Sequence, residues 1–142
     1  LFASQLELSG TVVSDNEKMI TPYDYEEIIT NIFSNLGWDT FTTSKSGDQG
    51  ADIIMQKYGL KYVVQCKLYN QPVGNKAVQE VTSAQAYYEA IGAVVITNND
   101  YTKSARQLAE SQNVWLLHDS QLAEWNSLID DIITRVKENI HE

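Results

Sequence analysis

The sequence predicts an α/β domain with a mixed central β-sheet of about five strands and helices on both faces. Three observations carry that reading. Two strand-like runs, "ADIIM" and "LKYVVQCK", are separated only by the turn signal in "QKYGLK", which makes them an antiparallel hairpin. The run "AVVIT" is short and continuously apolar, as in a strand buried on both faces. Helical patterns then alternate with single strands, so the order α, three strands, α, strand, α, strand, α calls for a mixed sheet covered on each side.

Taken in order, residues 1–20 are polar with little periodicity and are expected to be an N-terminal tail, a linker or one loose strand. At "TPYDYEE" a Thr cap, a Pro at the first helical position and first-turn acids open a helix. Ile28, Ile29, Ile32, Phe33 and Leu36 follow at helical spacing, and Gly37 supplies the stop. "WDTFTT" favours a strand and runs into the turn-rich "SKSGDQG". After the hairpin, residues 75–90 read as a helix with Val78, Val81, Ala84 and Ala86 toward its inner side, ended by Gly92. "NDYTKSARQLAESQN" is a helix, "VWLLH" a strand, and Asp119 to about Glu138 a last helix on Leu122, Trp125, Leu128, Ile132 and Val136. Residues 21–142 are thus expected to be one domain. Because the chain opens on Leu rather than Met, it is expected to be part of a longer protein.

Composition narrows the setting. With 142 residues and 43% hydrophobic content the chain can build one substantial core. A single cysteine, Cys66, forms no internal disulfide, and no Cys/His group has zinc-site spacing, so a reducing, cytoplasmic setting is the default. No apolar run reaches the roughly 20 residues that span a bilayer, so no membrane partner is expected. The net charge of −9 is unfavourable for phosphate binding. It is unevenly spread: residues 45–106 carry seven bases and five acids, between ends that hold seven acids each. Acidic ends that merely confer solubility and a meaningful basic middle both fit this distribution.

The polar residues at the end of "LKYVVQCK" are not needed by a core strand. Residues two apart share a face, so Val63, Gln65 and Lys67 lie on one side, and Val64 and Cys66 on the other, with Cys66 expected to be a core thiol. If the turn is centred between Tyr58 and Gly59, cross-strand partners have numbers summing to 117 and Asp52 faces Gln65. A carboxylate, an amide oxygen and an ammonium would then converge, a set suited to a hard divalent cation and a phosphate. A second carboxylate is available from the first helix, where Glu26 lies inward and Glu27 nearer the flank. Lys67 beside a metal could orient a water or stabilise charge that develops on phosphorus. A solvated strand end with a weak ion pair, and a first-turn acid placed for the helix dipole, describe the same residues equally well. His118 and His141 read as surface or strand-end residues.

The succession "YEEIITNIFSNLGW", "SGDQGADII", "VVQCK" and "AVVITNNDYTKSARQLAE" resembles the catalytic domain of Mrr-like restriction endonucleases, a branch of the PD-(D/E)XK nuclease superfamily, over residues 22–125. Four separated blocks in the family's order make the likeness specific, where "QCK" alone would not. The resemblance implies a restriction-endonuclease-like core and a Mg²⁺-dependent endonuclease that hydrolyses DNA phosphodiester bonds, with Mn²⁺ as a substitute. It maps the aromatic-Glu pair to Tyr25 and Glu26, the Asp of the "GxD" block to Asp52, and Gln-x-Lys to Gln65 and Lys67. By that mapping Glu26, Asp52 and Gln65 hold or position the metal, and Lys67 serves the attacking water and the scissile phosphate. Asp48 matches an acidic loop residue of the family. Lys45, Ser46 and Lys76, in the basic middle, are candidate substrate contacts.

The chain departs from a free-standing DNA binder in its acidity and in showing no winged helix or similar recognition module. Affinity is therefore expected from an additional recognition domain, a partner subunit or a homodimer. A restriction or defence nuclease leads the readings. A structure-selective, junction-resolvase-like enzyme, a catalytically inactive module of the same fold, and an RNA substrate stand beside it.

Overall fold

The computed structural model describes residues 19–43 and 50–140, which hold five strands and four α-helices in the expected order. These are α1 (Pro22–Asn35), β1 (Asp39–Thr42), β2 (Ile53–Lys57), β3 (Leu60–Lys67), α2 (Asn75–Tyr87), β4 (Gly92–Thr97), α3 (Lys103–Gln112), β5 (Val114–His118) and α4 (Leu122–Ile140). A short 3₁₀ turn, Asp119–Gln121, precedes α4. The strands lie in sequence order, β1 and β2 antiparallel to their successors, β3, β4 and β5 mutually parallel. No helix among the described residues is long and apolar enough to cross a membrane.

Local chemistry sets the boundaries. Thr21 Oγ1 accepts from the Asp24 N–H and Asp24 Oδ2 from the Thr21 N–H, a capping box that starts α1 with Pro22 in its first turn. Gly37, at φ +100°, ends it as expected. The β2–β3 turn is Tyr58-Gly59, both at positive φ, the two-residue geometry that matches strand twist. Pairs such as Ile53 with Val64 and Lys57 with Leu60 have the expected register.

Two apolar clusters sandwich the sheet. On one face α1 and α4 bring Tyr25, Ile29, Phe33, Trp125 and Ile129 against Ile53, Met55, Val64 and Ile96. On the other, α2 and α3 bring Val78, Val81, Ala84, Ala105 and Ala109 against Val63, Ala93 and Val95. β4 is buried throughout, as its unbroken apolar run requires.

Three expectations are corrected. Gly92 does not end a helix: it is the first residue of β4, where the Tyr62 ring would lie 2.4 Å from an added Cβ, and α2 has already stopped at Tyr87. Ala86 is exposed, because the inner stripe of α2 is Ala77, Val78, Val81 and Ala84. On α4, Leu128, Ile132 and Val136 face outward at 45%, 45% and 51% exposure, and Leu122, Trp125, Ile129 and Ile133 form the buried stripe.

Candidate active site

A cleft of 540 Å³ opens where β3 leaves the sheet. Glu26 of α1, Asp52, Gln65 and Lys67 all line it, so the four residues singled out in the sequence are brought together. Glu80 of α2 and Gly50 join them.

Each is positioned by its element. Tyr25, buried on the inner side of α1, donates from its hydroxyl to Asp119 Oδ2 at 2.9 Å and so ties α1 to the start of α4. Burial, with the Asp119 charge adding to it, pushes the Tyr25 phenol well above its ordinary pKa and keeps it a donor. With Tyr25 turned inward, the next residue, Glu26, is half-buried at the cleft while Glu27 is exposed, the distribution expected.

Asp52 precedes β2 by one residue. Its N–H donates to the Val64 carbonyl at 2.8 Å, off the line of the ladder by one residue, and its Oδ2 accepts from the Cys66 N–H at 2.8 Å. The carboxylate therefore takes over the backbone bonding of β3 where β2 has not yet begun, and a charge-assisted bond fixes it beside Gln65 and Lys67. Cys66 is half-buried, packing on the α1–α4 cluster and also lining the cleft, so it is less enclosed than a pure core thiol. Burial first, then the charges of Asp52 and Glu26, push its thiol pKa up against the opposing pull of Lys67.

Gln65 is 5% exposed. Its Nε2 donates to the Gly50 carbonyl at 3.2 Å and to Glu80 Oε1 at 3.0 Å. Its Oε1 is buried and finds no hydrogen-bond partner among the described residues. Lys67 Nζ lies 3.3 Å from Glu80 Oε1 and 5.8 Å from the centre of the Tyr69 ring. Burial would lower the Lys67 pKa, but the charges of Glu80, Tyr69 and Asp52 outweigh it and the net shift is upward. The group is an ammonium throughout the neutral range.

Glu80 and Gly50 escaped the sequence reading. Glu80 is the sole acid of α2 and stands directly before the buried Val81, a signal that a polar group flanks a packed face. Gly50 has φ +85°, and a Cβ there would lie 2.3 Å from the Glu80 carbonyl oxygen, so only glycine lets the chain before Asp52 pass this close to α2. Lys76 is exposed in the first turn of α2 and is not among the residues lining the cleft. Lys45, Ser46 and Asp48 lie outside the described residues.

Every candidate ligand atom is a hard oxygen, and one of them, Gln65 Oε1, is buried without a hydrogen-bond partner among the described residues. Such a set fits Mg²⁺ or a similar cation. Among the described residues no three His, Cys, Asp or Glu side chains are grouped closely enough to form a cage. Mg²⁺ does not require one, since it keeps several waters and takes one or two carboxylates.

Residues 17–126 match the restriction endonuclease family defined on the Mrr catalytic domain. The chain belongs to that family. It is similar to the type IV methyl-directed restriction enzyme EcoKMrr of Escherichia coli (strain K12), with 31% identity over 117 residues, covering 77% of this chain and 38% of the E. coli protein. The chain thus spans well under half the length of that relative. Among solved structures it resembles the DNA modification-dependent restriction endonuclease AspBHI, with a TM-score of 0.57 at 14% identity over 96% of this chain and 39% of that one. It also resembles a protein of unknown function, AF1548, with a TM-score of 0.56 at 18% identity over 66% of this chain and 55% of that one. At these identities the two structures speak for the fold, a restriction-endonuclease-like mixed sheet with helices on both faces.

Proposed function

We propose that this domain is a metal-dependent endonuclease that hydrolyses DNA phosphodiester bonds, in a restriction or defence role. The observation that carries the reading is the convergence of Glu26, Asp52, Gln65 and Lys67 on one cleft in a chain of the restriction endonuclease family. Asp52 and Gln65 Oε1 would hold Mg²⁺, with Glu26 completing or positioning the site and Mn²⁺ as a substitute. When bound, the cation supplies Lewis acidity and lowers the pKa of a water.

The chain's own residues supply the rest. Lys67, whose pKa is lowered by burial but raised further by the charges of Glu80, Tyr69 and Asp52, would serve the attacking water and act as a cation beside the scissile phosphate. Charge that grows on the phosphoryl oxygens in the transition state is met by an ammonium already held in place by Glu80 and the Tyr69 ring, which is where preorganised electrostatics gain most. Asp52, fixed by the Cys66 N–H, keeps one geometry. DNA affinity is assigned to a recognition module, a partner subunit or a second copy, because the chain carries a net charge of −9.

Incubating plasmid, linear duplex, branched DNA, single strands and RNA with and without Mg²⁺ tests this. Cutting of duplex DNA with Mg²⁺ is expected, and Lys67→Ala should reduce it by roughly 10²-fold or more, the scale of losing one transition-state electrostatic contact, with little change in melting temperature. Cutting by Lys67→Ala at the parental rate would remove the assignment. A strong preference for branched substrates would replace the restriction role with a structure-selective one.

A further inference from the structure

The Gln65 amide is held by its nitrogen, and this decides where its oxygen points. Both Nε2 hydrogens are committed, one to the Gly50 carbonyl at 3.2 Å and one to Glu80 Oε1 at 3.0 Å. Each partner is an acceptor only, so turning the amide over would set Oε1 against two oxygens. Oε1 is therefore locked on the opposite side, buried and without a hydrogen-bond partner among the described residues. Buried carbonyl oxygens are rarely left this way unless something else supplies the contact.

A carboxylate at position 65 would present an oxygen whichever way it turned. An amide has one ligating oxygen and one pair of N–H donors, and it can coordinate a cation in one orientation only. The neutral Gln therefore needs an orienting group, and Glu80 reaches it from α2, the crossover helix after β3. We propose that Glu80 is a positioning residue, which fixes the Gln65 amide so that Oε1 is presented to a divalent cation in the cleft. The inference rests on the metal-dependent reading of the site. It adds a role for a residue that, if it only neutralised Lys67, would have no bearing on how Gln65 is turned.

The test is calorimetric titration of Mn²⁺ into the full chain, with plasmid cleavage and thermal melting measured alongside. Removing an outer group that orients a ligand typically weakens metal binding by about 10–100-fold, so Glu80→Ala is expected to lose at least about tenfold in Mn²⁺ affinity, while Glu80→Gln, which keeps an oxygen acceptor, stays within about threefold. In a Gln65→Glu background, where no amide needs orienting, Glu80→Ala should cost less than about threefold. Glu80→Met keeps the bulk without the acceptor and serves the same comparison if the alanine variant fails to fold. Parental Mn²⁺ affinity in Glu80→Ala, an equal loss in both backgrounds, or no Mn²⁺ binding by the parent would each overturn the proposal. A parent that binds Mn²⁺ with the expected pattern but cuts no nucleic acid would leave the positioning role standing and remove the nuclease reading.

Discussion

At the residue scale, the cleft depends on one backbone approach. Gly50 sits at φ +85° with the Glu80 carbonyl where a Cβ would go, and its own carbonyl accepts from Gln65 Nε2. Gly50→Ala should therefore cost about 1–3 kcal/mol through overpacking, with a further contribution from left-handed backbone, and should also weaken metal binding by moving α2 away from Gln65. Denaturant unfolding and calorimetry on the same variant check both, and an unchanged midpoint would show that α2 can yield without cost. The glycine of the "GxD" block thus has a physical reason, but one that sequence alone does not supply. Gln65, Lys67 and Glu26 were legible because two-residue and helical periods fix which face a side chain takes, and the Tyr58-Gly59 turn fixes register, whereas Asp52 reaches the cleft from just off the ladder, bonded to Val64 and Cys66 and not a ladder partner of Gln65. Glu80 was not legible, because its contact with Lys67 and Gln65, 13 and 15 residues away in the chain, depends on how closely α2 packs against the strand.

At the element scale, the main misreading was the inner face of α4. That helix carries two neighbouring apolar stripes, a buried one of Leu122, Trp125, Ile129 and Ile133 and, beside it around the helix, an exposed one of Leu128, Ile132, Val136 and Ile140. Spacing is satisfied by both, and nothing local says which one meets the sheet. The choice is made by Trp125, which packs with Phe33, Trp38, Tyr62 and Trp115, partners from α1, the start of β1, β3 and β5. A pair of substitutions separates the stripes. Ile129→Ala should destabilise by about 2–5 kcal/mol, the range for truncating a buried aliphatic side chain. Ile132→Ala should stay within about 0.5 kcal/mol, as exposed positions do. Equal losses in denaturant unfolding would mean that the outer stripe is covered in solution. Elsewhere the elements were read well where capping and turn chemistry were strong, as at Thr21 and Tyr58-Gly59, and poorly where a glycine served packing and not termination, as at Gly92.

At the scale of the whole molecule, the sheet changes from antiparallel to parallel at β3, and the cleft lies at the end of that strand. Helices from both faces reach it there: α1, which belongs to one apolar cluster, brings Glu26, and α2, which belongs to the other, brings Glu80. Among the described residues the cleft holds three acids, Glu26, Asp52 and Glu80, and one base, Lys67, in a chain of net charge −9. A phosphodiester entering it meets an excess of negative charge at close range and a repelling field at long range. One bound divalent cation offsets that local excess of negative charge, so DNA binding and divalent binding should be coupled. By linkage, a cation that lets DNA bind is itself bound more tightly when DNA is present. Fluorescence polarisation with a labelled duplex checks this in Ca²⁺ and in chelator at matched ionic strength. Affinity should rise at least about tenfold in Ca²⁺, equivalent to 1.4 kcal/mol of coupling, and Asp52→Asn should lose most of that rise. Equal binding in chelator would place the DNA contact on a surface away from the three carboxylates.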